Sequence, residues 1–348
     1  MLLIYGANGY TGTLIVEECV RRGMRPIVAG RRRELLAPMA QAHGLECRVA
    51  SLDDPAGLQA MLGGVSVVLH AAGPFFRTSK PMVQACLAAG VHYLDITGEI
   101  AVFEGCKAQH EKAVAAGVVI MPGVGFDVVP TDCLAARLSD QLPGASLLEL
   151  AFAGGGGFSR GTLKTMVLGS PQGGAIRKEG RITRVPAAWR TQMIPFRDRP
   201  RLGVTIPWGD VSTAYWSTRI PNIHTYLALP PSAVRSMKVM RFVSPVLAIA
   251  PVQHFVERQI DRRVAGPSAA LRATARMHVW GRVTHADGHT IEGTAETPEG
   301  YRLTAIAAVE SAHRVLTDAP SAGYHTPSSA FGAGFLESLP ECDVVIAG

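Results

Sequence analysis

The chain has 348 residues, 47% hydrophobic and 18% charged, with a formal net charge of +6. That length suits two domains, and the composition suits a globular protein rather than a disordered or fibrous one. No Lys/Arg run resembles a nucleic-acid arm, so no nucleic-acid partner is expected, whereas a mildly positive surface favours an anionic substrate or a phosphorylated cofactor.

The cysteines, at 19, 47, 86, 106, 133 and 342, contain no C-x-x-C pair and no His/Cys cluster with zinc-ligand spacing. Buried reduced thiols and no metal are expected. The first strand begins at Leu2, which leaves no room for a signal peptide and points to the cytoplasm.

Leu2–Tyr5 reads as a short strand ended by glycines, followed by a helix over Thr11–Arg22 that stops at Gly23. A second strand (Pro26–Ala29), a second helix (Glu34–His43) and a third strand (Cys47–Ala50) follow. Asp53-Asp54-Pro55 then starts a helix. Val65–His70 is the fourth strand, with a helix from Pro81 to Ala89; Tyr93–Ile96, a helix over Phe103–Ala116 and Val118–Met121 complete the pattern. Short apolar strands alternating with helices imply an α/β class, an N-terminal Rossmann doubly wound parallel sheet.

From Ser146 the character changes to strands with turns: LLELAF, RITRV, RATARMHVWGRVTHADG, HTIEGTAETPEG and YRLTAIAAVESA. Ala286-Asp287-Gly288 and Pro298-Glu299-Gly300 read as hairpin turns. A second α/β domain with a mixed, largely antiparallel sheet is expected over residues 144–324. The first domain covers 1–143, and the tail, 325–348, packs back on it. The apolar stretch 242–256, interrupted by Pro245 and Pro251, is too short to span a membrane. Flanked by Lys238, Arg241, Arg258, Arg262 and Arg263, it either touches an anionic inner-membrane surface peripherally or, the preferred reading, is buried in an interface or over a greasy pocket. A homo-oligomer is expected.

Within MLLIYGANGYTG, Gly6, Gly9 and Gly12 stand between a strand and a helix, the context of a dinucleotide fingerprint. Gly6 permits the tight turn, Gly9 lets a pyrophosphate approach, and Gly12 lets helix and strand pack. Asn8, Tyr10 and Thr11 complete the loop at the positive helix end. After the second strand stand Gly30-Arg31-Arg32-Arg33, with no carboxylate until Glu34. Cations at a helix start oppose its dipole, so Arg31 and Arg32 point to the 2′-phosphate of NADP. Asp53, after strand three, either faces the adenine edge or caps a helix. Ala72-Gly73-Pro74-Phe75 suits close backbone approach to the nicotinamide half.

Hydride reduction needs a proton donor as well as a cofactor. Glu99 is the first candidate, as an acid or as an anchor of the carboxamide through its loop; Asp127, Tyr93 and Lys164 follow. Glu99 or Asp127 capping a helix is the plainer alternative for each. Gly154–Gly157 with Ser159, Arg160 and Lys164 forms a second glycine-rich turn, suited to an anion or carbonyl. No lysine has a tyrosine four residues before it, which removes the Tyr-x-x-x-Lys reductases and epimerases, and no G-x-S-x-G elbow is present.

In order, GANGYTG, VLHAAGPF, HYLDITGE, PGVGFDVVPTD and GGFSRGTLKTM, with the tail GYHTPSSAFG, resemble the saccharopine dehydrogenase-like oxidoreductases. The tail also resembles the bacterial branch that includes trans-acting enoyl reductases. The resemblance implies NADP binding and reduction of a C=C or C=N bond. No set of charges suited to an amino-dicarboxylate is evident, and the apolar second domain fits a hydrophobic small-molecule substrate better. A non-catalytic NADP-binding sensor or membrane-associated scaffold is the alternative.

Overall fold

The computed structural model describes residues 1–154, 157, 159–243, 247 and 249–347. In chain order it holds β1 (Leu2–Tyr5), α1 (Tyr10–Arg21), β2 (Ile27–Gly30), α2 (Arg33–His43), β3 (Cys47–Val49), α3 (Pro55–Met61), β4 (Val67–His70), α4 (Phe75–Ala89), β5 (His92–Asp95), α5 (Ile100–Lys107), α6 (His110–Ala116) and β6 (Val119–Met121). Then come α7 (Val129–Gln141), β7 (Leu147–Gly154), α8 (Arg160–Gly169), β8 (Gly174–Lys178), β9 (Arg181–Val185), β10 (Thr191–Pro195), β11 (Pro200–Thr205), α9 (Asp210–Thr218), β12 (Asn222–Ala228), α10 (Pro231–Val243), α11 (Ala250–Arg263) and α12 (Ala269–Thr274). The chain closes with β13 (Arg276–Thr284), β14 (Thr290–Pro298), α13 (Gly300–Thr317), β15 (Gly323–Tyr324), α14 (Pro327–Phe331) and β16 (Asp343–Ala347). Two compact units result: Met1–Val129 with Tyr301–Phe331, and Pro130–Gly300 with Gly332–Gly348.

The first unit is built on a seven-stranded parallel sheet ordered β15-β6-β5-β4-β1-β2-β3. Every residue of β1, β2 and β4 is buried, as a sheet covered on both faces requires. Ile15, Val16 and Cys19 of α1, with Ala305, Ala308, Val309 and Ala312 of α13, share one apolar core with Leu2, Ile4, Val67, Leu69 and Leu94.

Three departures from expectation have physical causes. Helix α4 begins at Phe75 rather than Pro81, which lies inside it, because a carboxylate from another loop caps its start. YRLTAIAAVESA forms helix α13, not a strand, and 299–300 start that helix instead of turning a hairpin. Leu303 to Val309 are buried without a break, so an apolar run with no polar face conceals its helical period. The tail divides: β15 pairs with β6, whereas β16 pairs antiparallel with β14. The return expected for 325–348 therefore ends at Phe331, because the extended DVVIA segment completes the β14 edge.

The second unit holds a nine-stranded mixed sheet with the path β10-β11-β12-β7-β13-β14-β16 and β8–β9 branching from β12. Its strands pair antiparallel except β12 with β7. The hairpin expected at 286–288 joins β13 to β14, closed by His285 N donating to His289 O at 2.8 Å with Gly288 at φ +92°. Of the apolar stretch 242–256, residues 244–246 and 248 lie outside those described. Within it, Phe255 is exposed while Val252 and Val256 are half-buried, so burial does not extend to the whole stretch. Among the described residues, no helix is long and apolar enough to cross a membrane.

Candidate functional site

Because the sheet of the first unit is parallel, the loops after β1 to β6 all emerge at its carboxyl edge. β1 lies between β2 and β4, so strand order reverses there and a crevice opens for a ligand. The candidate residues of these loops gather along that edge.

The glycine ladder is explained position by position. Gly6 has φ +87°, and a Cβ on it would stand 2.8 Å from the Ala72 amide nitrogen. At Gly12 a Cβ would lie 2.2 Å from the Gly6 carbonyl oxygen, so glycine alone lets α1 pack against the turn. Gly9 is the N-cap of α1 and has no side chain to cap it, and no acidic residue occupies the first turn. The helix therefore meets solvent with an uncompensated positive end, a cradle suited to phosphate. Asn8 Oδ1 lies alongside Gly30, 3.4 Å from where its Cβ would be, and Tyr10 meets Tyr301 edge-on at 5.0 Å.

Arg31 and Arg32 are exposed in the turn before α2. Neither has an ion-pair partner among the described residues. Arg31 and Asp53 both act electrostatically on the Tyr5 phenol, which donates to Ala50 O at 3.0 Å. That places the ends of β1, β2 and β3 around one exposed, cation-bearing corner. Asp54, not Asp53, caps α3, accepting from Gly57 N at 3.0 Å. Asp53 is thus free of the capping role and remains exposed at the corner.

After β4 the chain turns through Ala72 and a cis Gly73–Pro74 bond into α4. The Thr78 hydroxyl donates to Ala72 O at 2.6 Å. His70 Nε2, 3.1 Å away, is then the donor to Thr78 Oγ1. Burial pushes the His70 pKa down to about 3, so the ring is neutral, stacked on Tyr5 and edge-on to Phe75. Helix α4 gets no cap from its own N-cap residue, Pro74. Glu99, after β5, supplies it, accepting from Phe75 N at 2.9 Å and Phe76 N at 2.8 Å. Its carboxylate thereby fixes the turn that carries Ala72 to Phe75.

Asp95 is fully buried and accepts from the Tyr93 hydroxyl at 2.7 Å and from the amides of Thr97 and Gly123, each at 3.0 Å. It ties the loop after β5 to the loop after β6, and burial raises its pKa to about 6. Asp127 lies on the second of these loops against Gly98, where a Cβ would come within 2.7 Å of Oδ2. Burial first, and the neighbouring Glu99 charge second, push its pKa up to about 7. A carboxyl with a raised pKa thus stands at the carboxyl edge of the sheet, between the loops after β5 and β6.

Two expected catalytic residues are placed otherwise. Tyr93 is fully buried, its hydroxyl committed to Asp95 and its pKa raised well above the ordinary value by burial; it is a support of the sheet edge, not a proton donor. Lys164, on α8 of the second unit, pairs with Asp261 of α11 at 2.7 Å. Arg160 donates to Val264 O at 2.5 Å, so both cations of that turn fasten α8 to α11. Gly155, Gly156 and Phe158 of the same turn lie outside the described residues. Sequence reasoning passed over His70 and Thr78, whose only signal was a polar pair flanking AAGPF. It also missed Thr304, which accepts from Phe126 N at 3.0 Å beside Asp127 and stands 178 positions away.

Residues 2–121 match the family model described as the saccharopine dehydrogenase NADP binding domain. Over 99% of its length the chain is 26% identical to a Mycobacterium tuberculosis protein bearing the name trans-acting enoyl reductase, and covers 96% of it. A human saccharopine dehydrogenase-like oxidoreductase is 32% identical over 151 residues, 38% of this chain and 35% of that one. Among solved structures, apo saccharopine dehydrogenase (L-Glu forming) from Saccharomyces cerevisiae aligns with a TM-score of 0.66 over 100% of this chain and 99% of that one. At 11% identity that likeness concerns the fold alone. The residues present fit NADP: a glycine cradle that side chains would fill, an uncapped helix start, and arginines without carboxylate partners at the end of β2.

Proposed function

We propose that the chain, an NADP-dependent oxidoreductase similar to the saccharopine dehydrogenase-like proteins, reduces the C=C bond of an apolar enoyl substrate, with Asp127 as proton donor. Bound NADPH supplies hydride to one carbon of that bond. Gly6, Gly9, Gly12 and the first amides of α1 hold the pyrophosphate, with Asn8, Tyr10 and Thr11 lining its loop. Arg31 and Arg32 take the 2′-phosphate, Asp53 borders the adenosine end, and Ala72 to Phe75 line the nicotinamide end. Glu99 positions that last turn through the Phe75 and Phe76 amides and, by its charge, adds to the rise that burial gives the Asp127 pKa.

The observation that carries the reading is the position of the Asp127 carboxyl, packed against Gly98 at the carboxyl edge, with burial and the Glu99 charge pushing its pKa up to about 7. Below that pH it has a proton to give to the carbon next to the one reduced, and with a pKa near the working pH it recovers that proton from solvent. Reduction of an enoyl C=C bond is favoured by the end-to-end match to the mycobacterial relative. A C=N substrate would use the same donor at nitrogen. NADPH oxidation measured across apolar enoyl thioesters and imines tests this: turnover of the thioesters is expected. Turnover of imines alone would move the reading to C=N reduction, and tight NADPH binding with no turnover in either set would make the chain a non-catalytic NADP-binding protein.

A further inference from the structure

Among the described residues, seven large hydrophobic side chains are at least half exposed, and four of them fall between positions 239 and 255. These are Val239 (64%), Met240 (50%), Ile249 (51%) and Phe255 (58%). Helix α10 turns Val234 and Met237 inward, onto Ala188, Val204 and Leu202, which leaves Val239 and Met240 on its outer side. Helix α11 exposes Pro251, Phe255, Arg258 and Arg262, spaced as one helical stripe that is apolar at its start and basic at its end. On α11 the exposed Phe255, with Ile249 at the helix start, makes the apolar half of that stripe an unpartnered face.

Charge identifies what it binds. Helix α11 carries three arginines, at 258, 262 and 263, and two carboxylates, Glu257 and Asp261, and Asp261 is already paired with Lys164. A second copy meeting this face about a two-fold axis would set the same cations against one another. An anionic lipid surface instead pairs with them while the apolar side chains enter the headgroup boundary. We propose that α11 forms a peripheral docking face for an anionic bilayer, with Ile249 and Phe255 inserted and Arg258 and Arg262 on lipid phosphates. The helix lies on the bilayer, since it is not long and apolar enough to cross it. This face shares no residue with the NADP crevice, so the proposal stands apart from the reaction.

The test is flotation of the full chain with vesicles of phosphatidylcholine alone and of phosphatidylcholine mixed with phosphatidylglycerol, at low and high salt. Binding is expected only with phosphatidylglycerol and should weaken with salt. Phe255→Asp should lower the partition about 10- to 100-fold through lost apolar burial, and Arg258→Glu with Arg262→Glu by about 25-fold or more. Both variants should retain the thermal melt of the parent chain, which shows that they fold, and its NADPH affinity. Equal binding to the two vesicle types, or no loss in Phe255→Asp, would overturn the proposal. A dimer that Phe255→Asp dissolves, with no vesicle binding by the parent chain, would overturn it in favour of an interface between copies.

Discussion

Glu99 joins the stability of the crevice to its chemistry, and replacing it separates the two. Glu99→Ala removes both acceptors of the Phe75 and Phe76 amides, at 2.9 and 2.8 Å, from a helix with no other side-chain cap. Hydrogen bonds to an ionised group contribute about 1.5–3 kcal/mol, and losing an N-cap costs about 0.5–2 kcal/mol. An overall loss of about 2 kcal/mol lowers Tm by about 4–8 °C at about 2–4 °C per kcal/mol. Glu99→Gln keeps one oxygen to accept and should lose about half as much. Both variants remove the negative charge beside Asp127. Burial is the larger cause of that pKa's rise from 3.8 to about 7, so the alkaline limb of kcat should move to lower pH by less than half of that interval. Calorimetry and a kcat–pH profile of the two variants read both effects. An unchanged Tm in Glu99→Ala would refute the capping role. An unmoved limb in Glu99→Gln would refute the electrostatic one.

Arg31→Ala should weaken NADPH about 10- to 100-fold, the scale of a charge-assisted bond, and leave NADH nearly unaffected; equal losses in fluorescence titrations would remove the 2′-phosphate assignment. Gly12→Ala places a Cβ 2.2 Å from the Gly6 carbonyl oxygen and 3.0 Å from Ala7 Cα, both backbone atoms, so α1 must lift from the turn. A loss of about 1–3 kcal/mol is expected in thermal melts, with NADPH binding abolished. Asp127 also sets a pH dependence of stability. Its folded pKa, about 7, exceeds the ordinary 3.8, so folding takes up a proton between those values and stability declines as pH rises through them. Asp127→Asn, neutral throughout, should flatten that decline in Tm measured from pH 4 to 7, where Asp95, raised to about 6, would leave a smaller slope.

What was legible in the sequence was local. Leu2–Tyr5, the glycine ladder and Arg31 are read within one turn of chain, because a strand period, a φ above zero and an unpaired cation each leave a mark on neighbouring residues. The six strands up to β6 follow from the same short-range signals. What escaped depends on partners distant in the chain. The start of α4 is set by Glu99, 23 and 24 positions beyond the amides it caps, while Pro81 offered a plausible false start. α13 is buried along most of its length, which erased the polar face that would have shown a helix. Lys164 looked available until α11 supplied Asp261. Tyr93 looked like a donor until its side of the strand proved to face the interior, where Asp95 holds it.

The most direct test of the central claim is the kcat of Asp127→Asn with an apolar enoyl thioester, set beside the dissociation constant of NADPH for the same variant. Asparagine keeps the shape of the side chain but has no acidic proton to deliver. The account requires kcat to fall about 10²- to 10⁴-fold, with NADPH affinity unchanged and the residual rate no longer declining as pH passes through about 7. A variant that keeps the parent's rate and pH profile would contradict it.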